Sequence, residues 1–410
     1  MSPRKTRAST AAKRRAVSNK VVSTSATQEE EFKDEDPDSE LVMERQTQNQ
    51  TPRKPRIRQA ESDMLSGTYL SGAGRNTSTL SKRLKQVWEM LQKTSSTQQQ
   101  QEDGVLDARA AQKLGLVAVE LLQEKLLQHK DKHVRSLVAC CLVEILRVSS
   151  PDSPFSSNEE LYRVFKFLIE QLRALAPEQT TTSSDLHHFH VLESLATVKS
   201  CLLVVGLDFT SEEEEDVMLV QLFRAFFNTL GEEHSAKIEN LMLSIMVACI
   251  EETDNVEQPL LDVILRPLVG ANSDDVEMDA DDENIVKRSP AHMARELIRR
   301  TSDLLQNPLS NFFNNILIDG PGRLGSQKAS ELKEHVYTLI YEVHKINPSI
   351  LLYVLPNVCL QFQVDEVATR SEAIALMGKL FASSHADYGH QYMKNFRDFL
   401  GRFRDANRPG

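Results

Sequence analysis

The sequence lacks the strict alternation of apolar and polar residues that marks β-strands. From Leu80 onward, apolar residues recur every three or four positions instead, which places them on one face of an α-helix. Two clear stripes are Leu161, Val164, Phe165, Leu168, Ile169 and Leu172, and Leu332, Val336, Leu339, Ile340 and Val343. Because many such helices follow one another, we predict an all-α fold, a HEAT-like α-solenoid of stacked helix pairs in which each pair buries its apolar face against its neighbours.

Cysteine is scarce, and long apolar runs are missing. The 410 residues include five cysteines, an odd number without a C-x-x-C pair, and the basic amino terminus has no apolar core typical of a secretory signal. Both features favour a reducing compartment inside the cell. No apolar stretch is long enough to span a bilayer, so we expect no membrane partner.

Catalytic signatures are missing too, since there is no Gly-x-Ser-x-Gly elbow and no P-loop. Residues 320–325 match G-x-G-x-x-G, but Pro321 removes a backbone donor and no βαβ alternation surrounds them, which favours a flexible loop over a nucleotide site. His187 and His190 have a spacing that suits metal ligation from one helix face, yet no second ligand group matches them, which favours packed histidines. We therefore predict that the protein is not an enzyme and binds no cofactor or metal.

Charge is distributed unevenly. The formal net charge is -11, yet the first twenty residues carry seven basic and no acidic side chains, and an acidic block and a second basic cluster follow. Residues 1–78 are also poor in aromatic side chains, so we predict that they form a disordered charged tail. The rest is predicted to form a first helical array over 79–269, an acidic loop over 270–290 and a second part of the array over 291–410.

The predicted tail carries two copies of a Ser/Thr-Pro-Arg-Lys motif, at residues 2–5 and 51–54. A turn-forming proline followed by two cations resembles motifs that contact the minor groove of DNA. The predicted DNA contacts are Arg4, Lys5, Arg53 and Lys54. The motif also resembles a proline-directed kinase site, where a phosphate would oppose DNA binding. A solvated linker with chance matches is the alternative.

Another basic cluster in the tail is compatible with nuclear import. The predicted import residues are Lys13, Arg14 and Arg15.

Capping signals predict where several helices begin. A polar residue directly before a proline suits the first turn of a helix, and this arrangement occurs at Ser289-Pro290, Asn307-Pro308 and Asn347-Pro348. Further predicted caps are Asp107 and Asn158. We also predict a Gln-rich break over 94–103 and helix pairs that recur at roughly 40-residue intervals.

Seven stretches follow one another along the chain: KHVRSLVACCLVEILRV at 132–148, FLIEQL at 167–172, LESLATVKS at 192–200, QLFRAFF at 221–227, IRRT at 298–301, NFFN at 311–314 and RFRD at 402–405. In this order they resemble the precocious-dissociation-of-sisters family of cohesin regulators. The resemblance implies a HEAT-repeat scaffold, nuclear and chromatin-associated, that docks on the cohesin ring through its kleisin subunit. It also implies a role in keeping sister chromatids together and, with the release factor Wapl, in opening the ring.

Members of this family carry an Ala-Pro-Asp-Ala-Pro loop after the helix with two adjacent cysteines, where short peptides of Wapl or of sororin-like antagonists dock. The corresponding residues here form the partner loop, which consists of Ser150, Pro151, Asp152, Ser153, Pro154 and Phe155. Serine replaces both alanines, which adds hydrogen-bonding groups and creates Ser-Pro sites. Prolines that merely end one helix and start the next are the alternative.

Family members are considerably longer, and residues 402–405 are where further repeats would begin. We therefore expect a truncated array, either a fragment or an incomplete product. The alternative function is that of a HEAT-repeat adaptor of another class, such as a phosphatase scaffold or a nuclear transport receptor.

Overall fold

The computed structural model describes residues 64–73, 76–98, 108–150, 153–175, 183–207, 217–270, 288–318, 332–385 and 392–401. All of them belong to one compact unit. Every regular element in this described part is helical. No helix in these ranges is long and apolar enough to cross a membrane.

The α-helices follow in chain order. They are α1 Thr77–Gln98, α2 Ala108–Leu121, α3 Glu124–Leu127, α4 Lys132–Ser149, α5 Asn158–Leu172, α6 Ser183–Val198, α7 Met218–Thr229, α8 Ala236–Glu252, α9 Gln258–Leu265, α10 Pro290–Arg300, α11 Ser302–Ile318, α12 Val336–Ile346, α13 Leu355–Leu360, α14 Val367–Ala382 and α15 Met393–Gly401. Short 3₁₀ helices lie between them at Ser71–Ala73, Ser200–Val204, Arg266–Leu268, Lys333–His335, Pro348–Tyr353 and Gln361–Gln363.

The helices stack in two layers. In the first layer α1, α4, α6, α8, α10, α12 and α14 each pack against the next, and in the second layer α5, α7, α9, α11, α13 and α15 do the same. Contacts such as α4 with α5 and α7 with α8 join the layers. This arrangement is that of a HEAT-like solenoid, so the predicted fold class is confirmed.

The predicted apolar stripes lie in the core between the layers. All six residues of the α5 stripe are buried, and so are the five of the second predicted stripe, Leu332 and its partners in α12. Ser289 caps α10 as predicted, because its Oγ accepts the His292 N–H at 3.1 Å. At α5 the cap lies one residue earlier than predicted, since Ser157 Oγ accepts the Glu160 N–H at 3.2 Å.

The predicted helix start at Asn307-Pro308 is wrong, because Pro308 lies inside α11. The buried side chains of Leu305, Leu309 and Phe313 form one continuous stripe across the proline, so packing favours an unbroken helix. Proline leaves the carbonyl of the residue four positions earlier without its helical donor. That residue is Leu304, which lies on the solvent side of the helix with 47% of its surface exposed. Asn347-Pro348 does start a helix, but a 3₁₀ helix.

Part of the predicted tail is packed against the helices. Residues 64–73 lie in the predicted tail, yet Leu70 is 2% exposed and packs in the core. The Ser71 N–H donates to the buried Glu120 carboxylate at 2.7 Å. Gly67 has a φ of +72° and lies so close to α2 that a Cβ there would be 3.0 Å from Leu116 Cβ. Few apolar residues mark this segment, and a carboxylate from a distant helix holds it, so sequence periodicity does not indicate it.

Two other boundaries differ from the prediction. The α1 helix continues through Gln98 into the predicted Gln-rich break. Within this extension the hydroxyl of Thr94 is hydrogen-bonded, because its Oγ1 donates to the Met90 carbonyl at 3.0 Å. Helices of the first layer begin at residues 132, 183, 236 and 290, so this part of the array repeats at longer intervals than the predicted 40 residues. Connecting segments account for the difference. Asp107 and most of the acidic loop lie outside the described residues.

Leu168 tests the assignment of the buried face of α5. Its side chain is 0% exposed, so Leu168→Ala should lower the free energy of unfolding by about 2–5 kcal/mol through lost burial and the cavity left behind. Leu186→Ala is the matched control, because Leu186 is 60% exposed and its truncation should change stability by no more than about 0.5 kcal/mol. Chemical denaturation measures both. Equal effects would show that the face is assigned wrongly.

Candidate partner-binding site

The partner loop connects α4 to α5, and four of its six residues are described. Ser150 is exposed and follows the last turn of α4. Ser153 is exposed as well, and its Oγ accepts the Phe155 N–H at 3.3 Å. Phe155 is half-buried and packs against the core. The loop is therefore anchored at its carboxyl end and presents polar groups to solvent. Pro151 and Asp152 lie outside the described residues.

A hydrogen-bonded cap at the start of α5 fixes how the partner loop enters this helix. Ser157 Oγ accepts the Glu160 N–H, and Glu160 Oε2 in turn accepts the Ser156 N–H at 2.9 Å. This reciprocal arrangement satisfies backbone donors that a helix end leaves unpaired. Glu159 and Glu160 also place negative charge where the helix dipole favours it. The first turn of α5 is thus a rigid support for the loop.

A cleft of about 320 Å³ lies beside this first turn. It is lined by Val119, Leu122, Gln123, Glu124, Glu160 and Arg163. Arg163 donates to the Leu122 carbonyl at 2.9 Å and lies 3.8 Å from the Glu124 carboxylate, which ties α5 to the junction of α2 and α3. Val119 is 57% exposed, so the cleft offers apolar surface with charged groups around it. Glu160 belongs both to the lining of the cleft and to the cap that supports the loop, so the cleft adjoins the first turn of α5.

A polar cluster lies between α1, α4 and α6. Glu144 is fully buried, and its Oε1 lies 2.8 Å from His190 Nε2 and 3.9 Å from Arg147. His187 Nδ1 lies 2.9 Å from Ser136 Oγ. The Trp88 ring packs against both histidines, with centroid distances of 5.3 and 5.2 Å. These contacts join the three helices along the length of α4.

The two histidines therefore have different partners instead of forming a shared metal site. Among the described residues, no group of three or more His, Cys, Asp or Glu side chains is placed to hold a metal ion. Burial lowers the pKa of His187 to about 4, and the neighbouring His133 and Lys85 add to this effect because a second positive charge is disfavoured there. His187 is 6% exposed and stays neutral near pH 7.

The lowered pKa of His187 predicts loss of stability in acid. Its value in an unfolded chain is near 6.5, so the unfolded state takes up the proton first and stability falls as the pH drops from 6.5 towards 4. This group should lower the free energy of unfolding by about 2 kcal/mol between pH 7 and pH 5. Denaturation of His187→Gln should show a correspondingly weaker pH dependence. His335→Gln is the control, because His335 is exposed, and an equal effect of both substitutions would contradict the assignment.

The adjacent cysteines of α4 are packing residues. Cys140 and Cys141 are fully buried, and burial raises the pKa of both thiols well above the usual value. Thiols held in the protonated form are poor nucleophiles. They contribute to the core beneath the loop.

Several predicted residues cannot be placed. The DNA-contact residues, the import cluster and the G-x-G-x-x-G stretch at 320–325 all lie outside the described residues. Conversely, sequence reasoning missed Glu144, Trp88 and the cleft around Arg163. A glutamate within an otherwise apolar helical face is the one signal that points to Glu144.

A family model described as "Sister chromatid cohesion protein PDS5 protein" matches residues 78–408. The chain belongs to the PDS5 family. This membership favours the cohesin-related interpretation over a HEAT-repeat adaptor of another class.

Curated PDS5 relatives include homolog A of Mus musculus, 34% identical over 293 residues that cover 72% of this chain and 20% of the relative. Homolog B of Gallus gallus is 32% identical, with 72% and 19% covered. The chain thus spans about one fifth of the length of these PDS5 proteins.

Among solved structures, a chain of the Pds5-Scc1 complex matches with a TM-score of 0.60 at 20% identity. The match covers 81% of this chain and 47% of that one. At this level of identity the likeness concerns the fold, and it agrees with the two-layered helical stack.

Proposed function

We propose that this chain is a non-enzymatic, cohesin-associated scaffold that takes part in both the maintenance of sister chromatid cohesion and the release of the cohesin ring. The observation that carries the proposal is the PDS5 family match over 78–408, together with the helical stack that this region forms. The structurally similar Pds5 was solved in complex with Scc1. We infer that the present chain also binds the kleisin subunit. Stacked helices suit such a role because they present long continuous surfaces to extended partners.

We further propose that the partner loop binds a short peptide of a Wapl-type release factor or a sororin-like antagonist. Exposed Ser153 and anchored Phe155 support this, because a preorganised loop loses little entropy when a peptide docks. The neighbouring cleft has room for an apolar side chain against Val119 and Leu122, and its charged groups can fix the orientation of a peptide. Asp152 is proposed as a charged acceptor within the loop.

A binding experiment separates the two interactions. Labelled kleisin fragment and Wapl-type peptide are each titrated against the wild type and Asp152→Lys. We expect the substitution to abolish peptide binding, to leave kleisin binding unchanged and to shift stability by no more than about 0.5 kcal/mol. Asp254→Lys, in the exposed connector before α9, is the control for the charge change.

Peptide binding that is equal in all three proteins would show that the loop only connects two helices. Absence of kleisin binding by every protein, with capture of phosphatase subunits or importin cargo instead, would contradict the cohesin assignment.

The basic tail is proposed to contact DNA through Arg4, Lys5, Arg53 and Lys54, and its cluster Lys13, Arg14 and Arg15 is proposed to direct nuclear import. Both proposals rest on the density of positive charge in the tail of an otherwise acidic chain. Together they support a nuclear, chromatin-associated location.

Removing residues 1–63 tests the DNA contact without disturbing the packed segment at 64–73. We expect weaker DNA binding and a flatter dependence of affinity on salt. A protein that makes fewer phosphate contacts releases fewer counterions from DNA when it binds. The matched control retains the tail with Arg4, Lys5, Arg53 and Lys54 replaced by glutamine. Fluorescence anisotropy at several salt concentrations provides the measurement, and equal affinity with and without the tail would exclude the idea.

A further inference from the structure

Two Ser-Pro dipeptides of the described region have opposite surroundings. Ser153-Pro154 lies in the connector between α4 and α5, where Ser153 is exposed. Its Oγ accepts a long hydrogen bond from the Phe155 N–H at 3.3 Å. The hydroxyl proton of Ser153 is not used in that bond. Exposed connectors with small polar residues are the parts of a fold most open to modifying enzymes.

Ser289-Pro290 carries the same dipeptide in a protected position. Ser289 is half-buried and is the N-cap of α10, where its Oγ accepts the His292 N–H at 3.1 Å. Pro290 is the first residue of that helix. An enzyme that acted on Ser289 would have to remove the cap and unwind the first turn. The fold therefore distinguishes two sites that the local sequence makes alike.

We propose that Ser153 is a phosphorylation site for a proline-directed kinase and that its phosphate switches off peptide docking at the partner loop. In the transfer, Ser153 Oγ attacks the γ-phosphorus of ATP and a new O–P bond forms. The bond from that phosphorus to the β,γ-bridging oxygen breaks, ADP leaves, and the hydroxyl proton passes to the base of the kinase. The regulatory half of the proposal rests on the proposed function of the loop, whereas the modification itself does not.

The charges around Ser153 explain the expected effect. Between Arg147 and Arg163 the chain carries Asp152, Glu159 and Glu160 but no basic residue. Both flanking arginines already face carboxylates, since Arg147 lies 3.9 Å from Glu144 and Arg163 lies 3.8 Å from Glu124. A phosphate adds a charge of nearly −2 to this acidic segment. A docked peptide would have to remove water from that dianion, and residues 148–162 contain no basic side chain that could compensate.

The first experiment asks which serine is modified. The folded 410-residue chain is incubated with a cyclin-dependent, proline-directed kinase and ATP, and phosphopeptides are identified by mass spectrometry. We expect phosphate on Ser153 and none on Ser289, with the Ser153 phosphopeptide lost in Ser153→Ala and retained in Ser289→Ala. Thr51-Pro-Arg-Lys54 in the tail provides an internal positive control for kinase activity. Modification of Thr51 without Ser153, or of Ser289 to the same extent as Ser153, would overturn the proposal.

The second experiment asks what the phosphate does. A labelled Wapl-type peptide is titrated against the phosphorylated wild type and against kinase-treated Ser153→Ala, which carries the same tail phosphates. We expect binding to the phosphorylated wild type to be weaker by about tenfold or more. Equal or tighter binding would overturn the regulatory half. If the peptide binds neither unphosphorylated protein, peptide docking at the loop is wrong, and so is its regulation by phosphate. A Ser153 phosphopeptide would still establish the modification.

Discussion

The burial of α4 is the constraint on which the surrounding structure depends. Its apolar and small residues from Val134 to Val148 are almost all buried, because α4 packs between α1 and α6 in its own layer and against α2, α3 and α5 on the other side. Close packing on every side leaves such a helix one position and one rotation. The partner loop starts where α4 ends, so the packing of α4 fixes the position of the first loop residue.

Buried carboxylates set how neighbouring helices of the first layer align. Glu144 of α4 lies beside His190 of α6, Glu239 of α8 lies 2.7 Å from His292 of α10, and Glu342 of α12 lies 3.3 Å from Arg295 of α10. A buried charge without its partner is costly, whereas the pair adds little net stability over apolar packing. These pairs therefore act against sliding of one helix along the next, while the apolar core supplies most of the stability.

The candidate site combines this rigid frame with a polar, exposed connector. Phe155 and the capped first turn of α5 hold the loop, and the cleft beside Arg163 adjoins that turn. Ser150 and Ser153 are both exposed in this connector. Their hydroxyls add groups that can donate and accept hydrogen bonds at this surface.

Apolar periodicity and capping signals predict the helical array, the buried stripes of α5 and α12 and the cap at Ser289, because these signals involve residues within a few positions of one another. They do not indicate that α11 runs through Pro308, that residues 64–73 join the core, or that Glu144 lies beside His190. In each case the deciding contact joins distant parts of the chain. Glu144 and His190 are 46 residues apart, and Ser71 is 49 residues from Glu120. Such contacts form only when helices pack side by side, and packing energy then outweighs the local preferences of a proline or a polar segment.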